Sequence, residues 1–106
     1  MGVQVQELKV ELKGVVDQIS AQKVTRNASK AEKKELTTKI KEAKEKIKDT
    51  KNAEGDVSTL KAELLVLKGQ KQSKAIDISK SKAIIIDLRQ KKVALRNRIK
   101  GIKTKD

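Results

Sequence analysis

The sequence predicts an all-α fold: a long antiparallel helical hairpin followed by a further helix and a basic, partly helical C-terminal tail. Three observations carry this. Proline is absent from the 106 residues, so nothing forces a helix to break. Ala, Leu, Lys, Glu and Gln, the strong helix formers, dominate the chain. Apolar residues recur at spacings of three and four, the period of one helix face, in several separate stretches. With 36% apolar residues and no Phe, Tyr or Trp, these stripes make a seam rather than a thick core.

The first stripe is Val5, Leu8, Leu12, Val15 and Ile19, with Gln6, Lys9, Lys13 and Asp17 facing away. Gly14 on its outer side costs about 1 kcal/mol relative to Ala, so this helix depends on packing. The period fails at Val24–Asn27. Ser29 followed by Glu32 fits a capping box and predicts the start of a second helix, whose stripe is Leu36, Ile40, Ala43 and Ile47. A turn at 24–28 then closes a hairpin within residues 1–53, with Leu12, Ile19, Ile40 and Ile47 buried against one another. Asn27 serves that turn by tolerating a left-handed conformation.

Lys51, Asn52 and Gly55 end the second helix, Gly55 being the residue suited to the left-handed position. Asp56 or Ser58 caps a third, with the stripe Val57, Leu60, Leu64 and Leu67. From Gly69 the pattern degrades, and Ser79–Lys82 reads as a connector in an extended or loop-like crossing. Helicity returns with Leu88, Leu95, Ile99 and Ile102, a narrow stripe bordered by Arg and Lys that orders against a partner. Residues 54–106 are thus an additional helix, a connector and a basic extension. A coiled-coil dimer is the competing arrangement for the three stripes.

Charge supplies the functional reading. Thirteen of the 27 basic residues lie between Lys68 and Lys105, opposed there only by Asp77 and Asp87. The formal net charge is +13. A near-neutral front and a polycationic back predict a chain that folds with one part and grips a polyanion with the other, so that removing residues 84–106 spares the remaining helices. Two clusters are the candidate RNA-binding residues. One is Lys23, Arg26, Lys30, Lys33 and Lys34, opposed only by Glu32. The other comprises Lys71, Lys74, Arg89, Lys91, Lys92, Arg96, Arg98 and Lys100. Arg89, Arg96 and Arg98 rank highest because a guanidinium grips phosphate in bidentate fashion. With no aromatic side chain to stack on bases, contact runs through phosphates and shape.

Other classes find little support in the residues. Zero Cys and zero His leave no thiolate chemistry and none of the usual transition-metal ligands, and no cofactor is expected. The five glycines are scattered and form no phosphate loop. Glu32, Glu35, Glu42 and Glu45 are interleaved with lysines, which leaves no buried or paired carboxylate for acid–base work, so no enzyme is expected. No apolar run is longer than the four residues of Ala83–Ile86, too short to span a bilayer, and a basic amphipathic helix on anionic lipid ordinarily inserts aromatics. The expectation is a soluble chain that is not secreted and has no membrane partner.

Lys23-Val24-Thr25 and Ala28-Ser29-Lys30, flanked by helices, resemble the interhelical turn of the large-subunit ribosomal proteins numbered twenty-nine in bacteria and thirty-five in eukaryotes. Asp87-Leu88-Arg89-Gln90-Lys91-Lys92 with Leu95-Arg96-Asn97-Arg98-Ile99 resembles the basic C-terminal extension of the eukaryotic members. Those members carry a proline where Gln90 stands and aromatics where Ser79–Lys82 lie. The resemblance implies a structural constituent of the large ribosomal subunit that binds ribosomal RNA near the polypeptide exit tunnel, beside neighbouring ribosomal proteins and nascent-chain factors. A second registration puts the hairpin's turn at Asn52–Asp56. The first is preferred because it keeps the two blocks in the turn.

Overall fold

The computed structural model describes residues 2–105, with side chains described for residues 2–103. Two helices account for nearly all of it: α1, Gly2–Asn52, and α2, Ser58–Lys105. They form an all-α hairpin, and its turn is the second of the two that the sequence offers. The chain divides into two compact units, each built from part of both helices. Unit 1 comprises Met1–Arg26 with Lys80–Asp106, and unit 2 is Asn27–Ser79.

Several expectations change accordingly. Residues 24–28 lie inside α1, so the hairpin is not contained in residues 1–53, and Ser29 does not cap a helix. The Thr25 hydroxyl donates to Ala21 O at 3.2 Å, a bond made within a continuing helix rather than at a turn. The segment 79–82 is likewise helical and not a connector. The physical reason is in the burial pattern. The inward-facing residues of α1 run 5, 8, 12, 15, 19, 22, 26, 29, 33, 36, 40, 43, 47 and 50, an unbroken alternation of three and four. Those of α2 run 60, 64, 67, 71, 74, 78, 81, 85, 88, 92, 95, 99 and 102, with Val57 just before the helix one step earlier in the same period. Gln22, Arg26, Ser29 and Lys33 continue the seam of α1 with polar side chains, and Lys71, Lys74, Ser81 and Lys92 do so in α2. The period persists where hydrophobicity lapses. Such a heptad repeat, with a and d inward, belongs to coiled-coil packing, here between two segments of one chain.

In unit 1, Leu8, Val15, Ile19, Leu95 and Ile99 form one buried cluster, with Val5, Leu12, Leu88 and Ile102 packed on it. The basic C-terminal stretch is therefore half of a core. Leu12 and Ile19 pack with α2, and Ile40 and Ile47 belong to the other unit. In unit 2, Ile40 and Ile78 are buried, and the flanking Leu36, Ile47, Leu60, Leu64 and Leu67 are half-buried. Two helices alone leave seam residues an open side, and among the described residues no side chain is wholly enclosed. Ser29 and Ser81 are also buried, small residues that fit where two helix surfaces meet closely.

The turn is made by local chemistry. Gly55 N–H donates to Thr50 O at 2.8 Å and Glu54 N–H to Lys51 O at 3.1 Å, the two bonds of a Schellman motif. The left-handed position falls on Glu54, φ 61°, not on Gly55. Gly55 is required for space instead, because a Cβ there would lie 2.8 Å from Thr50 Cγ2. Asp56 then accepts from Ser58 N–H at 2.9 Å and from Ser58 Oγ at 2.7 Å, which holds the start of α2. These bonds hold the Asp56 carboxyl below its ordinary pKa, the backbone donor contributing most.

Candidate functional site

Heptad position decides where each cation points. With a and d in the seam, e and g flank it on its two edges, and b, c and f face outward. In unit 1 the e positions are Gly2, Lys9, Val16 and Lys23 on α1, and Lys82, Arg89, Arg96 and Lys103 on α2. All six cations are exposed, and no Asp or Glu occupies an e position. In an antiparallel pair the e residues of both helices share one edge. The surface bears this out: one groove is lined by Lys9 and Leu12 of α1 and by Arg96, Ile99, Lys100 and Lys103 of α2.

Unit 2 repeats the arrangement by itself. Its e positions are Lys30, Thr37, Lys44 and Lys51 on α1, and Lys61, Lys68 and Ala75 on α2, again without a carboxylate. Lys44 and Lys68, one from each helix, line a groove with Lys33, Ile40 and Lys71.

The g edges differ. Unit 2 carries Glu32, Lys39, Lys46, Glu63, Gln70 and Asp77 there, a mixture of signs. Glu32 pairs across to Lys74 and, along α1, Glu35 at c pairs with Lys39 at 3.7 Å. The Lys74 ammonium is pushed above its ordinary pKa, first by its hydrogen bond to Glu32, then by that carboxylate's charge, with Asp77 adding to it. Among residues 2–103, the g edge of unit 1 holds Glu11, Lys91 and Arg98 with neutral residues.

The candidate RNA-binding residues thus separate into groups that composition alone does not distinguish. Lys23, Lys30, Arg89 and Arg96 occupy e positions, while Lys91 and Arg98 lie at g, and Lys34 and Lys100 at b. Arg26, Lys33, Lys71, Lys74 and Lys92 are half-buried seam residues whose aliphatic stems pack between helices. Lys9, Lys44, Lys68, Lys82 and Lys103 belong to the basic edges, although their place in the sequence does not group them with the two clusters. The signal was their heptad position, recoverable only once the seam is known to be unbroken.

Among the described residues no group of His, Cys, Asp and Glu is placed to hold a metal ion, and no helix is long and apolar enough to cross a membrane. No protein-family model, no curated protein and no solved structure matches the chain.

Proposed function

We propose that this chain is a structural RNA-binding protein that holds folded RNA through phosphate contacts. The observation that carries the reading is the segregation of charge onto e edges where cations from both helices meet with no carboxylate among them. A helix that merely solvates its surface ordinarily alternates signs, as the g edge of unit 2 does. Without aromatics, such a surface takes its affinity from phosphates and counterion release.

The particular RNA proposed is that of the large ribosomal subunit, with neighbouring ribosomal proteins and nascent-chain factors as further partners. This finer reading rests on the two sequence blocks and the basic C-terminal stretch. The blocks at 23–30 lie within α1 and do not form a turn, so they support it through sequence alone. Co-migration of the protein with large subunits on a sucrose gradient tests the location. Titration of RNA against salt tests the chemistry: six or more phosphate contacts lose about a thousandfold in affinity between roughly 50 and 200 mM salt. Binding that ignores salt over that range would overturn the reading.

One observation favours a second reading, a helical adaptor that docks other helices. The outermost f positions of α1 include Val3, Val10 and Val24, which are 70%, 73% and 70% exposed. A dimer in sedimentation that forms without RNA and is indifferent to salt supports the adaptor.

A further inference from the structure

The basic edge of unit 1 has a shape as well as a sign. We infer that Lys9, Lys23, Lys82, Arg89, Arg96 and Lys103 form a built docking rail for the phosphate backbone of double-stranded RNA, and that Lys91 and Arg98 are not part of it. This rests on the RNA-binding reading and adds to it the surface, the form of the nucleic acid and the excluded residues.

Seven residues of α-helix rise about 10.5 Å, so successive e cations stand at regular intervals on a rigid support. Where the two rows meet, Lys9 of α1 and Arg96 and Lys103 of α2 line one groove with Leu12 and Ile99. The rows share one edge of the seam, and no carboxylate occupies an e position among them. Charged e residues in coiled coils commonly pair with opposite charges across the seam. Here they repel, a standing cost that an anion laid along the edge removes.

The occupant follows from what the rail offers and lacks. A single strand is held by aromatic platforms for its bases, and the chain has none. A duplex presents its phosphates in fixed lines with the bases turned inward, which suits contact limited to charge and spacing. An anionic membrane would want a broad apolar face beside the cations. Val16 is the one large apolar residue in the rows themselves, and Ile86 and Val93, 54% and 55% exposed beside Arg89, make a narrow strip rather than a broad face.

Two matched triple variants of the full chain separate the rail from general charge. The rail triple is Lys82→Gln, Arg96→Gln and Lys103→Gln, and the control triple is Lys80→Gln, Lys91→Gln and Arg98→Gln. Each removes two lysines and one arginine from α2. The probe is a double-stranded RNA of about 20 base pairs, titrated over a range of salt. The rail triple is expected to lose at least tenfold in affinity at low salt and about three units of salt slope, and the control to stay within about one unit of wild type. Lys9→Gln with Lys23→Gln, on the other helix, is expected to lower the slope by about two. Without RNA the rail triple should melt above wild type at low salt, because repulsion is relieved, so lost binding is not lost folding.

Equal losses in the two triples, with wild type binding normally, overturn the rail and leave the RNA reading standing. Wild type that binds single strands as tightly as duplex overturns the choice of duplex. Wild type that binds phosphatidylserine vesicles or acidic protein but no RNA overturns both the rail and the function beneath it.

Discussion

The Lys74 ammonium donates to the Glu32 carboxylate across the two helices of unit 2, a d residue of α2 reaching a g residue of α1. It is the cross-helix ion pair that marks the antiparallel register beside the half-buried cations Lys33 and Lys71. Because the folded-state pKa of Lys74 is raised, its contribution is fully present below the ordinary value of 10.5 and is lost as pH climbs through the folded value. Thermal melts across alkaline pH should therefore show a fall in Tm that Glu32→Gln flattens. An unchanged alkaline profile in that variant would remove the pair from the account of register.

The core of unit 1 uses both ends of the chain, so truncation is expected to do more than remove cations. Deleting residues 84–106 takes Leu95 and Ile99 from the cluster and leaves Leu8, Val15 and Ile19 without partners. Circular dichroism of the truncated chain should show residues 2–26 largely unfolded, because an isolated helix gains little without a packed face. Leu95→Ala in the full chain should cost about 2–5 kcal/mol. Retention of full helicity per residue after truncation would contradict the shared core.

At the turn, Glu54 occupies a left-handed conformation at φ 61°. An ordinary L-residue there costs about 1–2 kcal/mol. Glu54→Gly returns part of that to the unfolded chain's extra freedom, about 0.4–1 kcal/mol, and should still stabilise the hairpin by about 0.5–1 kcal/mol. Gly55→Ala should have the opposite sign, since its Cβ meets Thr50 Cγ2 at 2.8 Å and Thr50 O at 3.3 Å. Denaturant midpoints of the two variants check both signs.

Asp56 makes the start of α2 sensitive to acid. Its carboxylate accepts two bonds from Ser58, which lowers its folded-state pKa below 3.8. The stabilisation is present above the unfolded pKa and is lost as pH falls through the depressed value. Melting temperatures measured downward from about pH 5 should decline in the wild type. In Asp56→Asn the part due to this group should disappear, and an identical decline would assign the acid sensitivity to other carboxylates.

Ser81 tests how closely the helices meet in unit 1. It is buried to 4% exposure at a d position, and Ser81→Leu adds volume where the seam has little. Overpacking of this kind costs about 1–3 kcal/mol. A variant more stable than wild type would show that the seam has room there and that the serine is not a steric fit.

The helices themselves were legible because the absence of proline and the three–four spacing of Val5 to Ile19, Leu36 to Ile47 and Val57 to Leu67 act locally. So was the acid cap at Asp56. The segments 24–28 and 79–82 were misread because Gln22, Arg26, Ser29 and Ser81 hold seam positions with polar side chains, and a hydrophobicity pattern is silent where the period continues without hydrophobes. Of two turns with similar local signals, the one at 53–57 is used because it lets α1 run without a break and places Leu88 to Ile102 against Val5 to Ile19.

By itself the sequence determined helix, an excess of positive charge and the absence of aromatic, histidine and cysteine side chains, since each depends on residue identity or near-neighbour spacing. Tertiary structure decided which cations stand together. Lys9 and Arg96 are 87 positions apart in the chain and line one groove, while Arg96 and Arg98, two positions apart, sit on opposite edges of the seam. Charge counted along a chain says how strongly a polyanion is attracted, and only the pairing of the helices fixes the face on which that attraction is concentrated.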